Sequence, residues 1–400
     1  MNDHCELNDL VSQVNKKALH GRDMICFGHD WSGDPLSKTH VMKILARDNR
    51  VLWINSIGYR TPSINKRDFK RALNKLKSFK EPVREVEHNI FVLNAAAIPA
   101  NGLPFIRTVN RWLLRYQIMR AMRKLRFEQP INWVFNPTGS VVAGSLSEAL
   151  VVYYCVDEFT SFSDAGTQSM ASMEEILLKR ADLVVVSAQR LYDSKAVHNR
   201  NTVLLRHGVD FEHFRKVFSP ETNIAEELLA LPRPIIGYFG LMAADWIDME
   251  LLEKISQHFP QGSLVLLGNA TMDLSPIANR SNVHILGRKT FQSLPRFCKG
   301  FDVAILPFPI SEVTLNANPL KVREYLAAGL PVVSTRIPEV EVLAQAITAD
   351  THDEFIKALE VALKDPGPKL SRSESMRHES WEGRVEQLRG HIANIEQARK

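Results

Sequence analysis

The chain has 400 residues, 45% hydrophobic and 24% charged, which is typical of a globular protein with room for two domains. No apolar run approaches the roughly 18 residues of a membrane-spanning helix, and the polar first residues do not resemble a signal peptide. A net charge of +5 is too small to indicate a nucleic acid as partner. The four scattered cysteines predict neither a zinc site nor a disulfide framework, so a reducing cytoplasm is the expected location.

The first half of the chain alternates apolar strand-like runs with helical spacing. No G-x-G-x-x-G follows any of these strands, which argues against a nicotinamide-dependent dehydrogenase. Gly28 and Gly33 have the spacing of a phosphate loop, but Asp34 and Pro35 stand where Lys and Ser or Thr are needed. The expected strands are residues 24–27, 51–54, 131–135, 150–155, 182–187 and 202–205, and the expected helices are residues 39–46 and 174–181.

The same alternation restarts after an acidic, proline-bearing stretch at residues 219–234, which we interpret as the domain linker. We therefore predict an N-terminal domain at 1–215 and a C-terminal domain at 234–380, both of the α/β class. A final helix is predicted at 381–398. The expected strands of the second domain are residues 234–240, 263–268, 283–286, 302–307 and 331–334.

The most informative stretch is residues 301–343, which reads as strand, loop, helix and strand. The apolar run at 302–307 ends at a proline and predicts a buried parallel strand. Pro319 opens the helix, and Gly329 ends it. Ligands of open α/β sheets bind at the carboxyl ends of the strands, where a helix N-terminus offers free N–H groups to a phosphate.

Two of the charged side chains at the start of this helix, Lys321 and Glu324, lie on the same face. Lys321 adds a positive charge in the first turn, and Glu324 lies one turn further on the same face. A carboxylate there can accept hydrogen bonds from the hydroxyls of a ribose, so the pair predicts a site for a diphosphate and a ribose, as in a sugar nucleotide. The alternative is an exposed ion pair without a function.

Here the sequence resembles a known family. NPLKVREYLAAGLPVVST, residues 318–335, is similar to the donor-binding helix of bacterial GT-B glycosyltransferases, and RHGVDFEHF, residues 206–214, is similar to the junction that closes their N-terminal domain. Many members carry a Glu-x7-Glu pair. Glu324 matches its second glutamate, but Asn316 stands at the first, so a retaining reaction is not implied.

The resemblance implies the GT-B fold, two Rossmann-like domains that face each other across a cleft, with the helix at 381–398 packing back on the first domain. It implies a nucleotide-sugar co-substrate, expected to be a UDP- or GDP-sugar, and no cofactor. Around Lys321 and Glu324, the further donor-binding candidates are Asn318, Leu320, Met242, Arg288 and Glu339.

Asp157 is the candidate general base. It follows the apolar run at 150–155, and a rigid strand aims the first loop residue into the site. The layout remotely resembles the metal-independent glucuronosyltransferase of xanthan assembly, whose base matches Asp157 by position. No Asp-x-Asp motif or metal-ligand spacing is evident, so no metal is expected. The alternative role for Asp157 is to cap the following helix.

The first loop and the basic segments provide acceptor-side candidates. His29, Asp30, Lys38 and His40 follow the first strand, with ordinary loop and capping roles as the alternative. Residues 65–80 and 107–126 are rich in Lys and Arg, and the second segment interleaves aromatic residues. Such segments can rest on anionic lipid, which predicts a peripheral location on the inner face of a membrane. The alternatives are a solvated basic face or a patch for an anionic acceptor.

The sequence therefore predicts a glycosyltransferase that moves a sugar to a polysaccharide or polyprenyl-linked acceptor. Two alternatives stay open. One is a sugar-nucleotide epimerase or hydrolase of the same fold, and the other is a catalytically silent protein that binds the nucleotide sugar.

Overall fold

The computed structural model describes residues 19–55, 83–98, 104–161 and 167–399, so the basic segment at 65–80 lies outside the described residues. The chain divides into two compact units. The first comprises the described residues of Met1–Arg206 and of Val385–Lys400, and the second is His207–Arg384. Each unit contains one sheet with helices packed against it.

The sheet of the first unit has the strand order β3-β4-β2-β1-β5-β6-β7-β8 among the described residues. All its pairings are parallel except the β3–β4 hairpin. The buried faces of these strands share one apolar core with the inner face of the helix that precedes β5. The strands are β1 Asp23–Phe27, β2 Arg50–Ile54, β3 Arg84–Glu87, β4 Ile90–Leu93, β5 Ile131–Val134, β6 Leu150–Cys155, β7 Leu183–Val186 and β8 Thr202–Leu204.

The sheet of the second unit is entirely parallel, with the order β11-β10-β9-β12-β13-β14. Its strands are short and apolar, as expected where helices cover both faces of a sheet. They are β9 Ile235–Phe239, β10 Ser263–Leu267, β11 Val283–Gly287, β12 Val303–Leu306, β13 Val332–Thr335 and β14 Ala346–Ala349.

The helices of the first unit are α1 Ser37–Leu45, α2 Pro104–Leu125, α3 Thr167–Arg180 and α4 Gln189–Lys195. Those of the second unit are α5 Phe211–Arg215, α6 Glu226–Leu229, α7 Met249–His258, α8 Ser275–Ala278, α9 Leu294–Gly300, α10 Glu312–Leu315, α11 Leu320–Ala327, α12 Pro338–Glu341, α13 His352–Ala362 and α14 Leu370–Glu374. The last helix, α15 Trp381–Ala398, begins in the second unit and continues into the first. Short 3-10 turns lie at Pro137–Val141, Lys216–Phe218, Phe291–Ser293 and Arg377–Glu379.

The division between the units falls earlier than the linker we expected at residues 219–234. Phe211, Phe214 and Leu228 are buried in the same apolar core as β9, so residues 207–234 belong to the second unit. The acidic residues and prolines of that stretch lie mostly at exposed positions. Its apolar residues pack in the core of the second unit, and this packing sets the boundary between the units.

The start of α11 differs from the expectation by one residue. Pro319 is the residue before the helix, in an extended conformation, and Leu320 is the first helical residue. The end is as expected: Gly329 has φ +78°, a conformation that glycine adopts without strain, and its N–H donates to Leu326 O at 2.8 Å.

Among the described residues, no helix has the length and apolar character needed to cross a membrane.

Candidate active site

The tip of α11 lies at the carboxyl ends of the central strands of the second sheet. Lys321 is half-buried, and its aliphatic chain passes directly over Gly240, the first residue after β9. A Cβ on Gly240 would lie 2.0 Å from Lys321 Cε. The Lys321 ammonium lies 5.9 Å from the centre of the Phe308 ring, beyond β12. The Lys321 side chain therefore extends from α11 across the carboxyl ends of β9 and β12.

Two glycines make room for this arrangement. Gly240 has φ +150° and Gly268, the residue after β10, has φ +141°, and a Cβ on Gly268 would lie 1.8 Å from Gly240 O. Beyond them, Met242 N donates to Asn269 O at 2.9 Å and Thr271 N donates to Met242 O at 2.8 Å. The backbones after β9 and β10 are therefore held together at the strand ends, and only glycine fits at the closest approach.

The electrostatics of the α11 tip favour an anion. Burial lowers the pKa of Lys321, and the nearby Glu324 carboxyl partly opposes that shift. Burial raises the pKa of Glu324 to about 7; Lys321 lowers it, and Asp210 raises it further. Among the described residues, Lys321 and Glu324 do not form the exposed ion pair that was the alternative. A half-buried ammonium without a paired carboxylate, beside a helix N-terminus, suits a diphosphate.

Asn318 and Glu339, two donor-binding candidates, are buried beside Arg323. The Asn318 side-chain oxygen accepts a hydrogen bond from Arg323 Nη1 at 2.5 Å, and its carbonyl contacts the His207 ring at 2.9 Å. The Glu339 carboxylate acts electrostatically on the same guanidinium. These contacts hold the loop before α11 in place, and whether Asn318 and Glu339 also touch a donor stays a prediction.

The other donor-binding candidates lie in different surroundings. Met242 is fully buried in the core of the second unit, and its backbone makes the bridge to the loop after β10. Leu320 is half-buried at the first turn of α11. Arg288 is exposed just after β11. Of these, Met242 presents backbone rather than a polar side chain at the strand ends.

The expected base lies at the carboxyl edge of the first sheet. Asp157 follows β6 and is half-buried. Burial raises the pKa of Asp157, and the Lys38 ammonium of α1 partly opposes the rise. Lys38 itself has a lowered pKa because of burial, with Asp157 acting in the opposite direction. The next described helix begins at Thr167, so Asp157 is not its N-cap.

The structure brings one acceptor-side candidate into this cluster. Burial and then the charge of Lys38 lower the pKa of His29 to about 4, so the ring is neutral at physiological pH. The His29 Nε2 atom lies 3.2 Å from Asp34 O. His40 is half-buried on α1, and Asp30 is exposed. His29, Lys38 and Asp157 therefore form one group at the strand ends, whereas Asp30 turns outward.

A buried ion cluster next to Asp157 was missed in the sequence. Lys195 Nζ donates to Glu158 Oε2 at 2.8 Å and to Glu174 Oε2 at 3.0 Å, and Tyr153 Oη donates to Glu174 Oε1 at 2.6 Å. Burial works against the positive form of Lys195, but the two carboxylates raise its pKa overall. These residues come from β6, α3, α4 and the loop after β6, so no local motif could have revealed the cluster.

The missed residues of the second unit are Gly240, Gly268, Asp210 and Arg323. Asp210 caps α5 through a hydrogen bond from His213 N at 3.1 Å and lies close enough to Glu324 to raise its pKa. The one available signal was a glycine at the end of each of two predicted strands, Gly240 and Gly268. The described residues contain no group of three His, Cys, Asp or Glu side chains arranged to hold a metal ion.

The two Rossmann-like units, together with a family match in the second of them, define the class as a glycosyltransferase of the GT-B fold. Residues 233–365 match the family described as glycosyl transferases group 1, so the second unit carries a domain of that family. The predicted fold and enzyme class are therefore confirmed.

Three similar proteins support this assignment. A Bacillus subtilis protein assigned as a teichuronic acid biosynthesis glycosyltransferase is 23% identical over 274 residues, which cover 62% of this chain and 68% of that protein. Sucrose-phosphate synthase from Thermosynechococcus elongatus aligns with a TM-score of 0.67 and 15% identity, over 95% of this chain and 100% of that one. Anabaena HepE in complex with UDP and glucose aligns with a TM-score of 0.62 and 12% identity, over 92% and 98%. At these identities the two structures show the fold alone.

Proposed function

We propose that this protein transfers a sugar from a nucleotide-sugar donor to a saccharide or polyprenyl-linked acceptor without a metal ion. The observation that carries the proposal is the half-buried Lys321 ammonium, which lies over Gly240 and is not paired with a carboxylate in the part of the chain that the structure describes. In this proposal Lys321 and the α11 N-terminus bind the donor diphosphate. The Glu324 carboxyl accepts hydrogen bonds from the ribose.

The chemistry needs negative charge to be stabilised as the nucleoside diphosphate leaves. In the proposed reaction the bond between the sugar C1 and the diphosphate oxygen breaks, and the acceptor oxygen forms the new bond to C1. Lys321 and the N–H groups of α11 meet the charge that develops on the leaving oxygen. In this proposal the Lys321 ammonium and the N-terminus of α11 take the role that a metal ion has in other enzymes, so the reaction needs no metal.

Asp157 is the proposed base that takes the acceptor hydroxyl proton. A carboxylate of ordinary pKa is a weak base, and the raised pKa of Asp157 makes it a stronger one. The nearby Lys38 charge partly opposes the rise that burial causes in the pKa of this carboxyl. The neutral His29 ring adds a group that can orient an acceptor hydroxyl.

The comparisons support the choice of substrates. Anabaena HepE holds UDP and glucose, which supports a nucleotide-sugar donor and makes UDP-sugars the first donors to test. The Bacillus subtilis relative is assigned to teichuronic acid biosynthesis, which supports a cell-surface polysaccharide or its lipid-linked precursor as acceptor. An enzyme that works on such a precursor would act on the cytoplasmic face of the membrane.

Two variants test the proposal by calorimetry and by sugar transfer. Lys321→Ala should weaken binding of UDP at least about ten-fold, since a charge-assisted contact to a phosphate is lost. Asp157→Asn should leave UDP binding unchanged and lower kcat by about 10²-fold to 10⁴-fold, the usual contribution of a general base. A screen of UDP-, GDP-, ADP- and dTDP-sugars identifies the donor first.

The matched control is Lys357→Ala, an exposed lysine of the same unit, which should change neither measurement. Unchanged UDP affinity of Lys321→Ala would remove the proposed diphosphate site. Turnover of the donor without an acceptor would favour the epimerase or hydrolase, and binding without any turnover would favour a silent binding protein.

A further inference from the structure

The outer face of α2 exposes large aromatic side chains. Phe105 is 75% exposed, Trp112 is 71% exposed and Tyr116 is 52% exposed. The spacings of seven and four residues place all three on one side of the helix. Along the axis they span about 16 Å at 1.5 Å per residue. The rings of Trp112 and Tyr116 are stacked, with centres 6.0 Å apart and planes 11° apart.

The opposite face of α2 is fully packed in the first unit. Leu114, Ile118 and Met122 are buried there, and Asn110 forms two hydrogen bonds to the backbone of Ile98, at 2.7 and 2.9 Å. Apolar side chains therefore lie on both the inner and the outer face of this helix. The exposed aromatic residues are not needed to hold the helix in place.

The aromatic stripe is bordered by positive charge. Residues 104–125 contain no Asp or Glu. The Arg115 Nε atom donates to Ser145 O at 2.8 Å, and this hydrogen bond holds the Arg115 guanidinium against the first unit. The exposed basic residues of this helix are Arg111, Arg115, Arg120, Arg123 and Lys124.

This combination matches the interface of an anionic bilayer. Trp and Tyr rings favour the headgroup level, where the apolar ring and the polar atom are both satisfied, and basic residues near the surface are attracted to anionic headgroups. A second copy of this chain would bring like charges together at a symmetric contact, because residues 104–125 contain no Asp or Glu.

We propose that the outer face of α2, formed by Phe105, Trp112, Tyr116 and the adjoining arginines, docks the protein flat on a membrane surface rich in anionic lipid. The helix lies in the interface and does not cross it. This docking is a property of the first unit that does not depend on sugar transfer. It would hold the enzyme at the surface where a lipid-linked acceptor resides.

Vesicle sedimentation of the full chain tests the docking. The wild-type protein should bind vesicles of phosphatidylglycerol and phosphatidylcholine, not vesicles of phosphatidylcholine alone, and binding should weaken as salt increases. The double variant Trp112→Ser and Tyr116→Ser should bind at least about ten-fold more weakly, because the apolar contribution is lost. Arg120→Glu with Arg123→Glu should have the same effect.

Matched controls use equally exposed residues elsewhere. Val197 and Leu229 are 78% and 68% exposed, and the variant with both changed to Ser should bind as the wild type does. Arg200→Glu with Lys357→Glu is the corresponding charge control. Equal vesicle binding by the Trp112 and Tyr116 variant and the wild type would overturn the proposal. So would a wild-type dimer that the same variant abolishes, since a second copy would then be the partner.

Discussion

Lys321 and Glu324 show how a single burial environment gives two neighbouring side chains opposite pKa shifts. Burial disfavours the charged form of each, so the lysine pKa falls and the glutamate pKa rises to about 7. Each partly relieves the other, and Asp210 adds to the shift of the glutamate. A phosphate bound at Lys321 would restore the favourable charge balance, which is the physical basis of the proposed donor site.

The raised pKa of Glu324 has a consequence for stability. A carboxyl whose pKa is higher in the folded state stabilises the fold below pH about 4.5, and that stabilisation is lost as the pH rises through about 7. Glu324→Gln should remove about 3 kcal/mol of this pH dependence, from 1.36 kcal/mol per pKa unit. Hydrogen exchange of the β9 amides between pH 4.5 and 8 measures the opening free energy of the second unit.

The control for this measurement is Glu221→Gln, an exposed glutamate of the same unit. It should retain the pH dependence of the wild type. Parallel pH profiles for the wild type and Glu324→Gln would show that the buried carboxyl does not titrate as described.

At the scale of elements, most strands appear where the apolar runs placed them, because short runs of β-branched residues between loops specify buried parallel strands. The β3–β4 hairpin and β14 were not predicted. Strand β3 carries three charged residues among four and is mostly exposed, so it lacks an apolar signal. Strand β14, Ala346–Ala349, is half-buried at the edge of its sheet.

The junction of β9 and α11 offers a test at this scale. Gly240→Ala places a Cβ 2.0 Å from Lys321 Cε and 2.8 Å from Tyr238 Oη, at φ +150°. The variant should displace the lysine and weaken UDP binding at least about ten-fold, in addition to about 1–3 kcal/mol of backbone strain. Calorimetry with UDP, together with thermal unfolding, separates the two effects.

Gly287→Ala is the matched control, because Gly287 also has a positive φ, +66°, but a Cβ there meets no heavy atom within 4 Å. It should lose stability and keep its UDP affinity. If Gly240→Ala binds UDP as tightly as Gly287→Ala and the wild type do, the contact between Gly240 and Lys321 is not part of a donor site.

At the scale of the whole molecule, the chain returns to its first unit through α15. Arg389 Nη2 lies 3.1 Å from Asp48 Oδ2, and Arg22 Nη1 lies 2.7 Å from Glu396 Oε1. Leu388 and Ile392 are buried on the same helix. The C-terminal segment is therefore a structural part of the first unit, although about 180 residues of sequence separate it from Arg206.

Leu388→Ala tests this dependence. Loss of a fully buried leucine should reduce the stability of the first unit by about 2–5 kcal/mol through the cavity it leaves. Hydrogen exchange should accelerate in β1 and β2 more than in β9. The exposed neighbour Gln387→Ala should have no such effect. Equal acceleration in both units would mean that α15 does not belong specifically to the first.

The sequence by itself determined the two α/β units, the positions of most strands along the chain and the position of a cationic helix tip, because periodicity, helix stops and strand ends are local properties. It also determined that Asp157 follows a strand, since that too is read from neighbouring residues. Only the tertiary structure decided that Lys321 lies over Gly240, that Lys38 acts on Asp157 and that Lys195 joins Glu158 to Glu174. Each of these pairs is far apart in sequence, and sheet topology together with packing density chooses which strand ends meet.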